Sequence, residues 1–210
     1  MKKIIDKELK NGTKLPLVED FYSIQGEGYH TGKAAYFVRL GGCDIGCSWC
    51  DTKFSWDPKL HPLISSDVIV ERAKSFEAKS IVVTGGEPLL YNLDYLCSEL
   101  KKYQIKTFVE TSGTHTFTGN WNWVCLSPKK QSPPLSEAYN KASELKVIIH
   151  DKGDFEWAEE NALKVRNSCK LYLQPEWSIY QKIKSKVIQY VKDHPKWNIS
   201  LQAHKFMGIP

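Results

Sequence analysis

Apolar positions along this chain fall into short runs separated by longer amphipathic stretches. Runs rich in β-branched and aromatic residues lie at 35–40, 80–84, 105–110, 123–126, 145–149, 170–174 and 199–202, each about the length of a strand. Between several of them apolar residues return every three or four positions, which predicts helices over 66–76, 93–103, 154–167 and 179–192. Ser66 or Asp67 is suited to cap the first helix and Gly153-Asp154 the third, where a short polar side chain takes up an otherwise unpaired backbone N–H. The stretch 127–136 carries Pro128, Pro133 and Pro134 and is therefore loop, neither helix interior nor central strand. Strands alternating with helices predict an α/β fold, a parallel sheet covered by helices.

Length narrows the architecture. A closed eight-fold βα barrel takes about 250 residues, whereas this chain has 210 and six or seven strand-like runs. The expectation is a partial, open (βα) barrel spanning 1–210 as a single domain. Hydrophobic residues at 41% and charged residues at 25% are the balance of a soluble globular protein, and no apolar run approaches the roughly 20 residues of a membrane span. Lys2 and Lys3 are not followed by the apolar stretch of a signal peptide, so the expected location is cytoplasmic. The net charge of +5 comes from lysines scattered among acids, with no basic stripe interleaved with aromatics, so it does not call for nucleic acid.

Cysteine placement brings in chemistry. Cys43, Cys47 and Cys50 lie in one short loop, spaced C-x3-C-x2-C, while Cys97, Cys125 and Cys169 lie apart in apolar or amphipathic contexts and read as buried small hydrophobes. A closed structural zinc site wants four ligands, and here the fourth would have to be a residue such as His30 or Asp44. A cubane iron–sulfur cluster on three cysteines instead keeps one iron open for chemistry. Gly41, Gly42 and Gly46 suit the second reading, because glycine lets backbone amides approach the sulfur atoms closely.

Further motifs occupy the ends of the later strands, where an α/β barrel carries its working residues. Thr84-Gly85-Gly86-Glu87-Pro88 follows one, and its two glycines let carbonyls approach an ammonium group while Glu87 orients the turn or supplies an acceptor. Glu110-Thr111-Ser112-Gly113 follows the next and is suited to hold ribose hydroxyls, unless Glu110 simply faces solvent. Ser127-Pro128-Lys129 and Gln174-Pro175-Glu176-Trp177 follow later strands on the same barrel face.

The cysteine spacing and the Gly-Gly-Glu-Pro run resemble those of the radical S-adenosylmethionine (SAM) superfamily, in which the open iron chelates SAM and its reductive cleavage releases a 5′-deoxyadenosyl radical. The resemblance implies a radical SAM type of partial barrel, a [4Fe-4S] cluster on Cys43, Cys47 and Cys50, and a SAM site formed by Trp49, Gly86, Glu87, Glu110, Ser112, Ser127, Pro128, Lys129 and Gln174. Ile24-Gln25-Gly26-Glu27 before the cluster, Asp51-Thr52 after it, Arg39 on the preceding strand and Gln202-Ala203-His204-Lys205 near Pro210 narrow it further. Together, over 18–210, they resemble the 7-carboxy-7-deazaguanine synthase family of queuosine and deazapurine biosynthesis.

That family resemblance implies a lyase that contracts the ring of 6-carboxy-5,6,7,8-tetrahydropterin to 7-carboxy-7-deazaguanine with loss of ammonia, SAM being regenerated. It implies Mg²⁺ on Thr52, since a hard cation suits a hydroxyl, and pterin contacts from Ile24, Gln25, Gly26, Glu27, Thr84 and His204. Arg39 is either the fork that grips the substrate carboxylate or a partner in a strand-edge salt bridge. Pro210 would offer its own carboxylate to the pterin amine. An external electron donor of flavodoxin or ferredoxin type and a homodimer are also implied, with no direct contact to nucleic acid. Some family members have a long insertion between the first two cysteines; here only Asp44-Ile45-Gly46 intervenes, so contacts made by that insertion do not carry over. The alternative is a glycyl-radical-type activating enzyme, which has the same cysteine spacing and Gly-Gly-Glu-Pro run but acts on a partner protein.

Overall fold

The computed structural model describes residues 7–210, so Lys2 and Lys3 lie outside the described residues. Its strands are β1 (Lys14–Ile24), β2 (Ala34–Leu40), β3 (Leu63–Ser65), β4 (Ser80–Gly85), β5 (Lys106–Thr111), β6 (Trp123–Leu126), β7 (Glu144–Ile149), β8 (Lys170–Pro175) and β9 (Asn198–Ile199). The α-helices are α1 (Ser66–Lys74), α2 (Asp94–Lys102), α3 (Ser136–Lys141), α4 (Gly153–Ala162), α5 (Tyr180–Asp193) and α6 (Ala203–Met207). One sheet runs in the order β3-β1-β2-β4-β5-β6-β7-β8-β9 and does not close on itself. From β2 through β9 every pairing is parallel, the partial barrel expected from the strand–helix alternation.

Alternation along each parallel strand divides its side chains between two environments. Tyr36, Val38 and Leu40 of β2 and Ile81 and Val83 of β4 point outward, where Ile69, Val70 and Ala73 of α1 and Leu96 and Leu100 of α2 cover them. In the second half, Leu145, Val147 and Ile149 of β7 and Leu173 of β8 pack in the same way with Tyr139, Ala158, Ile183, Val187 and Trp197. Inward, a small apolar cluster of Ala35, Phe37 and Val82, joined by Phe21 and Phe108, fills part of the barrel. Much of the rest of the inner face is polar, with Arg39, Glu110, Lys146 and Gln174 lining the cavity.

Two strands escaped the sequence reading. β1 contains Pro16 and the acidic pair Glu19-Asp20, which break the apolar alternation, and it is a strand because it pairs antiparallel with β2 from Leu17↔Leu40 to Ile24↔Ala34 across a register shift. β3 is three residues paired to the start of β1. The cysteine loop therefore follows the second strand of the chain, not the first. The run at 199–202 is strand only at Asn198–Ile199, because Ala203 N donates to Gly26 O at 2.9 Å and draws the chain off the ladder into α6. The cap of α1 is Ser65, whose Oγ accepts from Asp67 N at 3.3 Å, since the helix already begins at Ser66. At α4 the N-cap is Lys152, and Asp154 Oδ2 accepts from His150 N and Asp151 N at 2.7 and 2.8 Å, which fixes the turn entering the helix.

Candidate active site

The cysteine loop is held by backbone contacts that glycine alone permits. Gly42 has φ +106°, and its N–H donates to Ser55 O at 2.7 Å. Its carbonyl accepts from Glu87 N at 2.8 Å. A Cβ on Gly86 would sit 2.1 Å from that same carbonyl, so the Gly-Gly-Glu-Pro turn and the cysteine loop touch through bare backbone. Cys43, Cys47 and Cys50 are unbridged and line one cavity of about 270 Å³.

The sulfur environment is that of a cluster site. Burial pushes the Cys43 and Cys47 thiols up, which the N–H groups of Ile45 and Gly46 oppose at Cys43 and the Lys129 ammonium and Gln131 amide oppose at Cys47. Gln131 Nε2 lies 3.0 Å from Cys47 Sγ. Protected thiols that meet N–H donors and a cation are fitted to be ligands, because metal binding itself drives the deprotonation. The side chains considered as a fourth zinc ligand do not join the three thiols, and His30 does not line their cavity. His30 stacks on Phe108 at 4.7 Å, and Asp44 pairs with His115 at 3.1 Å. Among the described residues no three of His, Cys, Asp and Glu converge to hold a single ion.

Glu87 takes the first of the two roles considered for it, that of orienting the turn. It is buried, with Oε1 accepting from Leu89 N at 3.0 Å and Thr111 Oγ1 at 2.5 Å, and Oε2 accepting from Ser112 N at 2.8 Å and Ser112 Oγ at 2.5 Å. Its carboxylate thus rivets the turn after β4 to the end of β5. Glu110, beside it, turns into the cavity and accepts from Gln25 Nε2 at 3.0 Å, so it does not simply face solvent. Lys129 Nζ donates back to Ser127 O at 2.6 Å, and Gln174 is held through Ser200 Oγ at 2.7 Å.

The inner wall of the cavity is a charged network assembled from four distant segments. Lys146, on the inward face of β7 and only 5% exposed, ion-pairs with Glu27 Oε2 and lies 3.7 Å from Glu110 Oε2. Gln202 Nε2 donates to Glu27 Oε1 at 2.8 Å, and Gln25 Oε1 accepts from Glu27 N at 3.0 Å. Burial by itself would raise the Glu27 carboxyl, but the Lys146 charge and hydrogen bond, with the Gln202 amide, bring it down to about 2. Burial likewise works against the Lys146 ammonium, yet the surrounding Cys125, Glu110, Glu27 and Glu144 raise it well above the usual lysine range. A Cβ on Gly26 would fall 2.2 Å from His204 Nδ1, which explains the glycine and places α6 directly over this segment.

The match to known proteins is close and nearly full-length. Residues 37–124 match the family model described as Radical SAM superfamily. The chain is 54% identical to the 7-carboxy-7-deazaguanine synthase of Flavobacterium psychrophilum, with 96% of each chain covered. It is 42% identical to the synthase of Synechocystis over 92% of this chain and 93% of that one. The crystal structure of QueE from Escherichia coli superposes with a TM-score of 0.82 at 30% identity, covering 95% and 98% of the two chains. The chain belongs to the 7-carboxy-7-deazaguanine synthase family.

A member of this family is a radical SAM enzyme, so a [4Fe-4S] cluster and SAM are its cofactors, and the relatives' names support the synthase over the activating-enzyme alternative. Of the residues that the synthase resemblance singled out, all but Pro128 contribute to the cavity; Pro128 is buried between Ser127 and Lys129, which do line it. Arg39 forms the strand-edge salt bridge considered for it. Its Nε pairs with Glu19 Oε1 at 2.7 Å, and it also lines the cavity, with no hydrogen bond among the described residues on its two terminal nitrogens. Sequence reasoning missed Lys146, Gln202 as a partner of Glu27, and Asp51, which pairs with Lys205 at 2.5 Å. The Gln202 and Asp51 segments carried signals, through the Gln-x-His-Lys and Asp-Thr runs, whereas Lys146 carried none.

Proposed function

We propose that this chain contracts the ring of 6-carboxy-5,6,7,8-tetrahydropterin to 7-carboxy-7-deazaguanine with loss of ammonia, as a step of queuosine or deazapurine biosynthesis. The observation that carries this reading is that the three-thiol loop and the Gln25–Glu27–Lys146 network line the same cavity. When bound, the [4Fe-4S] cluster and SAM supply the 5′-deoxyadenosyl radical that takes the hydrogen from C6 of the pterin.

The chain's own residues hold, orient and shield. Gly86 leaves its carbonyl open to the SAM ammonium, and Glu110 and Ser112 face the cavity as acceptors for ribose hydroxyls, with Trp49, Ser127, Lys129 and Gln174 completing the wall. Glu27, kept ionised by Lys146, is an acceptor for the donor edge of the pterin, next to Ile24, Gln25, Gly26 and Thr84. The free terminal nitrogens of Arg39 suit the substrate carboxylate. His204 is held over Gly26, and Pro210, whose carbonyl accepts from Ser23 Oγ at 3.1 Å, sits at the cavity rim as an acceptor for the pterin amine. Thr52 lies 3.5 Å from Cys50 Sγ through its hydroxyl, and that oxygen is the ligand assigned to Mg²⁺.

A low-potential flavodoxin or ferredoxin supplies the electron in this reading, and the enzyme works as a cytoplasmic homodimer. Six unbridged cysteines suit a reducing compartment, and no helix among the described residues is long and apolar enough to cross a membrane. The test is an anaerobic assay with the reconstituted protein, SAM, reductant, Mg²⁺ and 6-carboxytetrahydropterin, read by mass spectrometry. Product is expected. Cleavage of SAM to 5′-deoxyadenosine without it would reject the pterin.

A further inference from the structure

The loop after β6 ends in a tight turn whose tip reaches the cysteine loop. Ser132 N donates to Lys129 O at 3.2 Å, and these two residues form an isolated antiparallel bridge. Two side-chain anchors fix the turn as well. Lys129 Nζ is tied back to Ser127 O and Oγ at 2.6 and 2.8 Å. Lys130 Nζ pairs with Asp154 Oδ1 at 2.5 Å, and Asp154 is itself held by two backbone N–H groups at the entry to α4. Between these anchors stands Gln131, whose Nε2 donates to Cys47 Sγ at 3.0 Å.

We propose that Gln131 is a positioning residue that sets the reduction potential of the cluster by keeping an amide N–H on the sulfur of Cys47. This rests on the reading of Cys43, Cys47 and Cys50 as the cluster ligands. Reduction adds an electron that spreads onto the coordinating sulfurs, and a donor aimed at one of them stabilises the reduced form more than the oxidised form. Cys47 is the most buried of the three cysteines, 7% exposed. Water is therefore a poor substitute for the amide. A donor on a pinned turn also loses little freedom when it engages the sulfur, so its effect is retained in both redox states. The same turn begins at Lys129 in the proposed SAM wall, so Gln131 joins the cofactor wall to the cluster by one short covalent path.

The test is a redox titration of the reconstituted holoenzyme without SAM, followed by electron paramagnetic resonance of the reduced cluster, after iron and sulfide have been counted. Gln131→Leu removes the donor. The reduced-to-oxidised ratio at fixed poise should fall about tenfold, a midpoint about 59 mV more negative for one electron. Gln131→Glu is nearly isosteric and puts a negative charge in place of the donor, so its midpoint should be lower again. It also keeps the measurement available if leucine disturbs cluster loading. The order Gln, Leu, Glu from highest to lowest midpoint supports the assignment. Equal midpoints in wild type, Gln131→Leu and Gln131→Glu, with full clusters in each, would overturn the role of Gln131 alone. A wild-type chain that takes up no iron and sulfide would overturn the cluster reading and this inference with it.

Discussion

The cysteine loop and the charged inner wall face one cavity but are built on opposite principles. The loop is local: three thiols within eight residues, shaped by Gly42 and the backbone contact to Gly86, with neutral N–H donors at Cys43. The wall is global. Glu27 meets Lys146 across 119 residues of sequence and Gln202 across 175. An inorganic cube is compact and symmetric, so a short spacing of thiols specifies it. An asymmetric organic molecule needs donors and acceptors from several directions, and a barrel supplies these by turning different strands inward.

The largest expected effect is on the local side. Cys47→Ala removes one of the three proposed ligands, and among the described residues no group of three His, Cys, Asp or Glu side chains forms a substitute metal site. Iron and sulfide binding and 5′-deoxyadenosine formation should fall to background while the urea midpoint of the apoprotein stays near that of wild type. A variant that still carries a full cluster and cleaves SAM would show that the loop is not the cluster site.

The wall should break through electrostatics instead. Lys146→Met leaves Glu27 and Glu110 facing each other without their cation, and breaking a buried pair typically costs about 3–5 kcal/mol. In wild type the Glu27 carboxyl is depressed to about 2 from an ordinary 4.5, so its contribution to stability is present above pH 4.5 and is lost as pH falls toward 2. Without Lys146 burial dominates and the Glu27 carboxyl rises, so acid relieves the variant by neutralising an unpaired charge. Urea denaturation at pH 7 and pH 5 should therefore show a large deficit that narrows at the lower pH. A deficit that is the same at both values would mean that Lys146 acts through packing and not through Glu27.

This contrast also explains what the sequence disclosed. Strands β4 to β8 were legible because their outward faces carry β-branched or other apolar residues in alternation, and the cysteine loop because its thiols are neighbours. β1 was not, since Pro16 and Glu19-Asp20 imitate a loop and only the pairing with β2 makes it a strand. Lys146 was hidden by the same alternation that revealed its strand: in Glu144-Leu145-Lys146-Val147 the polar positions read as the solvent side, whereas in a barrel that side is the interior. Glu87 was found for its motif, but its four hydrogen bonds to Leu89, Thr111 and Ser112 give its carboxylate to the fold.

Thr52 lies where the two regions meet, two residues past the last cysteine and next to Asp51, the partner of Lys205. Losing a supporting contact at a metal site lowers affinity about 10–100-fold, and Thr52→Val should raise the Mg²⁺ concentration for half-maximal rate by that order without changing cluster content. Thr52→Ser, which keeps the hydroxyl, should stay close to wild type. The same Mg²⁺ dependence in all three proteins would remove Thr52 from the metal site.

The smallest effect is expected at a tie between the cysteine loop and the segment after β5. His115 Nε2 meets Asp44 Oδ2 at 3.1 Å, His115 Nδ1 meets Thr114 Oγ1 at 2.9 Å, and Thr114 Oγ1 meets Ser112 Oγ at 3.0 Å, one step from Glu87. Asp44 is 58% exposed and His115 27%, and an ion pair in that setting is worth about 0–1 kcal/mol. His115→Ala should therefore leave the urea midpoint almost unchanged. Its effect belongs to the loop, because Asp44 adjoins Cys43 and is one of only three residues between the first two ligands. Iron release to a chelator is the sensitive readout: a loop held by the contacts of Gly41, Gly42 and Cys43 opens more often than one also tied at Asp44, so release should quicken by up to about fivefold, the equivalent of about 1 kcal/mol. His115→Gln, which restores a donor toward Asp44, should recover part of that difference. Equal release from all three proteins would mean that the contacts of Gly41, Gly42 and Cys43 hold the cysteine loop without help, and that the local region is as self-sufficient in structure as it is in sequence.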